Sequence, residues 1–208
     1  MRAYRTVVQK AETELVIQRS RFIGRCFPVE NEGEALAILN EIRKLNWDAS
    51  HNCFAYRIGA GGAAARFSDD GEPGGTAGKP IMDVLTGKDI TDVLVIVTRY
   101  FGGILLGAGG LVRAYSRSAA DACEAAGLAQ MRPGTKLKMS IDYTRYGALE
   151  KLLRERAQIE NTEFGADVTV EAIVASEDAQ ALCEAVIDKT DGRCTPQTVG
   201  EAYMRTVL

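Results

Sequence analysis

Two glycine-rich segments, separated by one apolar run, constrain the fold of this chain most strongly. The first, SDDGEPGGTAGKP, covers residues 68–80, and the second, RYFGGILLGAGGLVR, covers residues 99–113. Glycine and proline at this density favour turns, so we expect no helix or strand within residues 59–79. The run VLVIVT at residues 93–98 is typical of a strand that is buried on both faces. The sequence therefore predicts two loops that lie next to a buried sheet.

The pattern around these segments predicts an α+β fold. Asn31 is a good N-cap for a helix over residues 32–45, whose leucines and isoleucine recur every three residues. On the strand at 51–58, His51, Cys53, Ala55 and Arg57 share one face. We expect Trp47 and Tyr56 in the core. Further strands are expected at residues 4–8, 13–18 and 21–29, and further helices at residues 80–85 and 111–126.

A second pattern begins after Met131-Arg132-Pro133-Gly134, which predicts a turn and linker. We therefore expect one domain over residues 1–131 and another over residues 135–208. Ser176 is expected to cap the last helix. The order of elements after the break is β-α-β-β-α-β, which is the ferredoxin-like arrangement. Its strands are expected at 136–143, 159–164, 168–175 and 195–207, and its first helix at 146–158.

The composition excludes several classes of protein. The chain has 25 Lys+Arg and 28 Asp+Glu, a net charge of −3, so no overall basic field attracts nucleic acid. One histidine excludes multi-histidine metal sites. The five cysteines form no CxxC pair, which indicates buried thiols rather than a zinc or disulfide scaffold. Without an apolar run of about 20 residues or a signal-peptide pattern, we expect a cytoplasmic protein that does not contact a membrane.

Neither glycine-rich segment is a known nucleotide-binding motif. The pair Gly78-Lys79 has Pro73 and Pro80 where a P-loop needs glycine and a hydroxyl residue. A dinucleotide-binding fingerprint that starts at Gly107 would need a glycine at position 112. The sequence therefore argues against both kinds of nucleotide site.

The second segment could still hold an anion. Residues 107–110 follow a strand and precede a helix, where backbone N–H groups can bind a phosphate. Arg99 and Arg113 are near in sequence. Tight turns and close packing explain the same glycines equally well, so both interpretations stay open.

Three carboxylates in the first segment are the other candidate site. Asp69, Asp70 and Glu72 are hard oxygen ligands that suit Mg²⁺ or Ca²⁺, and paired carboxylates also serve in acid–base catalysis. A solvated turn, or capping of the following helix, explains the same residues. His51 is either a structural histidine or one that faces a ligand.

The chain resembles the YigZ/IMPACT family. The resemblance is carried by SRFI at 20–23, ASHNCFAYR at 49–57, SDDGEPGGTAGKPI at 68–81, RYFGG at 99–103 and GGLVRAY at 109–115. It implies a first domain similar to domain IV of translation elongation factor G and to the second domain of a small-subunit ribosomal protein. It implies a ferredoxin-like second domain, similar to the last domain of the same factor.

The family resemblance favours a translation-associated regulatory protein that binds RNA or the ribosome, without a cofactor and without catalytic residues. The residues expected to contact phosphates are Arg57, Lys79, Arg99 and Arg113. The residues expected to line the ligand site are His51, Ser68, Asp69, Asp70, Glu72, Gly102, Gly103 and Gly107. Two alternatives stay open. One is a metal-dependent enzyme that acts on a small phosphorylated or nucleotide substrate with His51 as acid or base, and the other is a module that binds a protein partner.

Overall fold

A computed structural model describes residues 1–59 and 61–208 and divides the chain into two compact units. The first unit contains Tyr4–Gln130 and Val207–Leu208, and the second contains Met1–Ala3 and Met131–Thr206. Ala60, in the segment expected to lack regular structure, lies outside the described residues. Helices and strands alternate irregularly in both units, which confirms the α+β class. Within the described residues, no helix combines the length and apolar character needed to cross a bilayer.

The element bounds are as follows. The strands of the first unit are β1 (Tyr4–Val7), β2 (Ala11–Ile17), β3 (Ser20–Pro28), β4 (His51–Ile58), β5 (Ala64–Ser68) and β6 (Val93–Tyr100). Its helices are α1 (Glu32–Leu45), α2 (Gly78–Gly87) and α3 (Gly107–Ala126). The rest of the chain forms β7 (Leu128–Ile141), α4 (Tyr143–Arg156), β8 (Gln158–Phe164), β9 (Val168–Ala175), a 3₁₀ turn at Ser176–Asp178, α5 (Ala179–Lys189) and β10 (Gln197–Val207).

An antiparallel sheet in the order β2-β3-β6-β4-β5 forms the centre of the first unit. Strand β6 lies in the middle and is buried from Val93 to Arg99, as its apolar sequence predicts. On one face, residues of α2 and α3 such as Leu85 and Tyr115 pack in a common core with Val95. On the other face, residues of α1 pack against β4 and β6. Helices thus cover both faces of the sheet, and the loops at the ends of its strands lie outside these two cores.

Helix α1 begins as predicted, but the segment after it does not enter the core. The Asn31 side chain accepts the N–H of Glu34 at 2.9 Å, which confirms the N-cap. Tyr56 is buried at 2% exposure, whereas Trp47 is 83% exposed. The prediction for Trp47 is wrong because α1 ends at Leu45 and Trp47 follows it in a surface turn.

Two further expectations for the first unit are corrected. Residues 59–79 contain strand β5, because the stretch from Ala64 to Ser68 has no glycine and pairs with β4. Helix α3 begins at Gly107, four residues before the predicted start, so the glycines at 107, 109 and 110 form its first turn. The second glycine-rich segment is therefore a short loop followed directly by a helix.

Two corrections apply after residue 130. Pro133 and Gly134 do not form a turn, because both lie inside β7. A Cβ on Gly134 would lie 2.5 Å from the Ile173 side chain, so this glycine permits close packing between paired strands. Ser176 does not cap α5, because a 3₁₀ turn intervenes before the helix starts at Ala179.

The second unit has the predicted ferredoxin-like order. Its strands pair as β10 with β7, β7 with β9 and β9 with β8, and the last two pairs are antiparallel. Helices α4 and α5 contribute Leu149 and Val186 to a core with Val170 of the sheet. The hairpin between β8 and β9 closes at Gly165, where the pattern placed it.

Candidate functional site

The two glycine-rich segments meet at a cavity of about 460 Å³ in the first unit. Glu72 and Pro73 come from the first segment, Phe101, Leu105 and Ala108 come from the second, and His51 comes from the start of β4. Small-molecule and nucleotide sites in proteins have volumes of about 300–1,000 Å³. This cavity is therefore the candidate site.

Two glycines let the segments approach the sheet. A Cβ on Gly102 would lie 2.0 Å from the carbonyl carbon of Arg19, and its N–H donates to Ser20 Oγ at 3.2 Å. A Cβ on Gly78 would lie 2.6 Å from the carbonyl carbon of Ser68. At these two positions glycine is required for close backbone approach.

A buried ion pair joins the segments beneath the cavity. Arg99 Nη1 donates to Glu72 Oε1 at 2.6 Å, with 6% and 3% of the two side chains exposed. Tyr115 donates its O–H to the same oxygen at 2.7 Å, and Arg99 Nη2 donates to Ser20 Oγ at 3.3 Å. Because Arg99 pairs with His51 across β4–β6 and with Phe22 across β3–β6, the sheet register brings these residues together. Glu72 is thus neutralised by a partner that the sheet holds in place.

The cavity wall contains an arginine N–H without an acceptor and the N-terminus of a helix. Arg99 Nε is buried and has no hydrogen-bond partner among the described residues. Gly107 and Ala108, in the first turn of α3, also line the cavity. The first turn of α3 contains no acidic residue, so the partial positive charge of this helix end is not compensated there. This part of the wall favours a negatively charged group.

Arg113 is placed near the same helix end. It is exposed, and a Cβ on Gly109 would lie 3.6 Å from its Nη1 atom, so its guanidinium reaches back over the first turn of α3. A cation here reinforces the attraction of the helix N-terminus for an anion. Arg113 therefore adds positive charge at the helix end that lines the cavity.

His51 faces the cavity in a defined orientation. Its Nδ1 lies 2.8 Å from the carbonyl oxygen of Asp70. Since a carbonyl can only accept, Nδ1 carries a proton. Nε2 lies 3.8 Å from Glu72 Oε2, which is too far for a direct hydrogen bond. His51 therefore presents Nε2 next to the carboxylate of Glu72.

Cys53 is not a nucleophile in this arrangement. Burial raises the pKa of its thiol to about 12, and the thiol donates to the carbonyl of Asp69 at 3.0 Å. Burial likewise raises the pKa of Tyr115. Since the reactive form of cysteine is the thiolate, Cys53 serves as a small buried residue at neutral pH.

The carboxylates of Asp69 and Asp70 accept hydrogen bonds from other groups of the protein. Asp69 accepts the N–H groups of Gly75 at 2.8 Å, Ala77 at 3.0 Å and Gly78 at 2.8 Å. Although burial opposes it, these three bonds lower the pKa of Asp69 below its ordinary value.

Asp70 is occupied in the same way. It accepts from Arg43 Nη2 at 2.8 Å and from the N–H of Asn52 at 2.7 Å, and its own N–H donates to Ser68 Oγ at 3.1 Å. Over the described parts of the chain, no three His, Cys, Asp or Glu side chains form a group that could hold a metal. This donor set does not fit the metal-dependent alternative.

Two predicted phosphate contacts do not fit the structure. The guanidinium of Arg57 is buried and donates to the carbonyls of Leu85 at 3.2 Å, Ile90 at 2.9 Å and Gly61 at 3.2 Å. Lys79 is exposed but forms an ion pair with Asp83, one turn further along α2. Arg57 thus fastens loops within the first unit, and Lys79 does not line the cavity.

Several residues that form the site were not expected from the sequence. Phe101 is 47% exposed, and Arg99 Cζ lies 5.4 Å from the centre of its ring. Leu105 is 84% exposed at the cavity wall, and Gly103, which was predicted, is exposed on the loop between Phe101 and Leu105. Large apolar residues inside a glycine-rich loop are the signal that could have identified Phe101 and Leu105. Nothing in the sequence pattern indicates that Tyr115, in the middle of a helix, contacts Glu72.

Comparisons with known proteins cover both units. Residues 18–123 match the Impact N-terminal domain, and residues 139–193 match a domain of unknown function, DUF1949. The chain is 38% identical over 194 residues to "IMPACT family member YvyE" of Bacillus subtilis (strain 168), which covers 93% of this chain and 89% of that protein. It is 36% identical over 155 residues to "IMPACT family member YigZ" of Escherichia coli (strain K12), with 73% and 76% covered. A crystal structure described as that of a hypothetical protein matches with a TM-score of 0.61 and 29% identity, covering 96% of this chain and 98% of that one.

Proposed function

The chain belongs to the IMPACT family, and from this premise we propose that it is a translation-associated protein that binds RNA, free or within the ribosome, through the cavity between its two glycine-rich segments. One observation carries the proposal. A single cavity combines the uncompensated N-terminus of α3, a buried arginine and the exposed ring of Phe101. A phosphate and a base are the two parts of a nucleotide, and they bind best at a helix N-terminus and on an aromatic ring, respectively.

The binding mode follows from the position of these groups. A phosphate accepts the N–H groups at the start of α3 and is attracted by Arg113. A base stacks on the ring of Phe101, which also contacts the Arg99 guanidinium. Because the chain as a whole is acidic, few phosphates are contacted. Affinity therefore depends on one or two nucleotides inside the cavity rather than on a long basic surface.

The proposal is tested by fluorescence anisotropy with a labelled single-stranded RNA. We expect Phe101→Ala and Arg113→Ala each to weaken binding about tenfold, the loss of one stacked base or one phosphate contact. The matched controls are Phe164→Ala, an exposed phenylalanine of the second unit, and Arg117→Ala, one turn further along α3. Unchanged affinity in both test variants, or no RNA binding at 50 mM salt, would overturn the proposal.

A protein partner is favoured by a different observation. Leu105 and Ile104 are exposed by 84% and 40% next to the cavity, and RNA gains little from aliphatic side chains. If the partner is a protein, the uncharged Ile104→Asn, next to the cavity but not in its lining, weakens co-sedimentation with ribosomal subunits while affinity for naked RNA stays the same. If the partner is RNA alone, Ile104→Asn leaves co-sedimentation intact.

A further inference from the structure

The floor of the cavity presents two hydrogen-bond acceptors without donors. In a neutral His51 ring, Nδ1 carries the proton that binds the Asp70 carbonyl, and Nε2 therefore has a free lone pair. Glu72 Oε1 already accepts from Arg99 and Tyr115, which leaves Oε2. Over the described residues neither Nε2 nor Oε2 receives a hydrogen bond, and the two atoms lie 3.8 Å apart. The His51 side chain is 23% exposed and the Glu72 side chain 3% exposed, so both acceptors are partly shielded from solvent and open to a donor from a ligand in the cavity.

A hydroxyl group satisfies this pair best. At 3.8 Å the two atoms are too far apart to bond each other, but a hydroxyl between them can donate to either one. Because Arg99 already neutralises Glu72, the carboxylate does not repel a nearby phosphate. A carboxylate that accepts from a sugar hydroxyl is also the way in which dinucleotide-binding proteins recognise ribose.

The position of the pair indicates which hydroxyl is bound. The phosphate position at Gly107 and Ala108 and the stacking ring of Phe101 line the same cavity as His51 and Glu72. With its phosphate and base held at those points, a nucleotide places its sugar between them. We propose that His51 and Glu72 recognise the ribose 2′-hydroxyl, so that the cavity distinguishes RNA from DNA. This inference rests on the proposed RNA binding and adds its specificity.

The first test changes the ligand, so that the folding of a variant is not in question. Wild-type protein is titrated with one single-stranded sequence as RNA, DNA, 2′-fluoro RNA and 2′-O-methyl RNA at a fixed salt concentration. We expect the three oligonucleotides that lack the hydroxyl donor to bind about tenfold more weakly than RNA, the cost of one lost hydrogen bond to a charged group. Equal affinity for RNA and DNA, or full affinity for 2′-O-methyl RNA, would refute the inference. Failure of all four to bind contradicts the proposed function itself.

The second test observes the histidine directly. Because His51 is the one histidine of the sequence, protein labelled with ¹⁵N-histidine gives a single pair of ring nitrogen signals. In the free protein we expect the Nδ1-protonated form. Addition of RNA should shift the Nε2 signal, and addition of DNA at equal saturation should shift it much less. An Nε2 signal that does not respond to saturating RNA would contradict the inference.

A protein variant completes the comparison. In His51→Ala we expect the ratio of RNA to DNA affinity to fall towards one. Arg117→Ala, outside the cavity, should keep the wild-type ratio. If His51 has only a structural role, the substitution weakens binding of RNA and DNA equally and leaves the affinity ratio unchanged. That result would contradict the inference.

Discussion

Glu72 is the side chain on which most of the site depends. One of its oxygens accepts from Arg99 and Tyr115, and the other faces His51. Loss of the negative charge leaves the Arg99 guanidinium buried without compensation, which is more costly than the pair itself is stabilising. The buried network of Glu72, Arg99 and Tyr115 therefore holds both glycine-rich segments in place.

The Glu72→Gln variant tests this network. We expect it to lower the free energy of unfolding by about 3 kcal/mol in urea, because a buried charge loses its partner. The control is Glu14→Gln, which removes a surface partner of Arg21 in a pair that is about half exposed, and its unfolding midpoint should stay nearly unchanged. Equal effects of the two substitutions would contradict this account of the network.

Asp69 provides a second prediction at the residue scale, with a defined dependence on pH. Asp69→Asn removes a carboxylate that accepts three N–H groups, and we expect a loss of about 2 kcal/mol at pH 7. Because the folded-state pKa lies below the ordinary 3.8, the stabilisation is complete well above that value and is lost as the pH falls through the folded pKa. Urea unfolding of both proteins at pH 7 and near pH 3 should therefore show a difference that shrinks in acid. A difference that grows in acid contradicts the assignment.

The role of an individual side chain was predictable from the sequence only where its residue type has few common roles at that position. Asn31 before an apolar helix has one common function, and the structure confirms it as an N-cap. Arg57 was misjudged because an arginine on a strand is equally suited to bind an anion or its own loop carbonyls. Sequence spacing does not reveal which acceptors the fold brings within reach.

At the scale of elements, the loop after β6 depends on one close backbone approach. Gly102 lies against Arg19, where any Cβ would overlap the main chain. We expect Gly102→Ala to lower the unfolding free energy by at least about 2 kcal/mol, since strand β3 or the loop must move. In the first segment a Cβ on Gly74 would meet nothing within 4 Å, so Gly74→Ala should change stability by less than about 0.5 kcal/mol. Thermal or urea unfolding of the two variants distinguishes them, and similar stabilities would be the contrary result.

The elements themselves were largely predictable, and the errors have physical causes. Helix α1 matches its predicted bounds because apolar periodicity and capping agree, and strand β9 matches because its apolar run follows the hairpin signal at Gly165. Glycine was given too much weight in three places. The first turn of α3 and Gly134 in β7 show glycine inside regular elements where neighbours approach closely or a helix end faces a cavity. Strand β5 formed beside glycines because its partner β4 supplies the hydrogen bonds.

At the scale of the whole molecule, the proposed function depends on two distant segments meeting at one cavity, and not on the net charge of the chain. The chain carries a net charge of −3, and two of four predicted phosphate-binding cations are engaged elsewhere. The two glycine-rich segments nevertheless line one cavity, about 30 residues apart in sequence. Their motifs could be read in the sequence, but the contacts that join them, from Arg99 and Tyr115 to Glu72, became evident only in the folded chain.

Photochemical crosslinking tests the central claim most directly. A single-stranded RNA containing 4-thiouridine is irradiated with the protein, and the crosslinked peptides are identified by mass spectrometry. We predict crosslinks within residues 99–113, concentrated at Phe101, that are competed away by unlabelled RNA. Crosslinks confined to the second unit, or none above the level of a non-binding control protein, would contradict the claim that this cavity binds RNA.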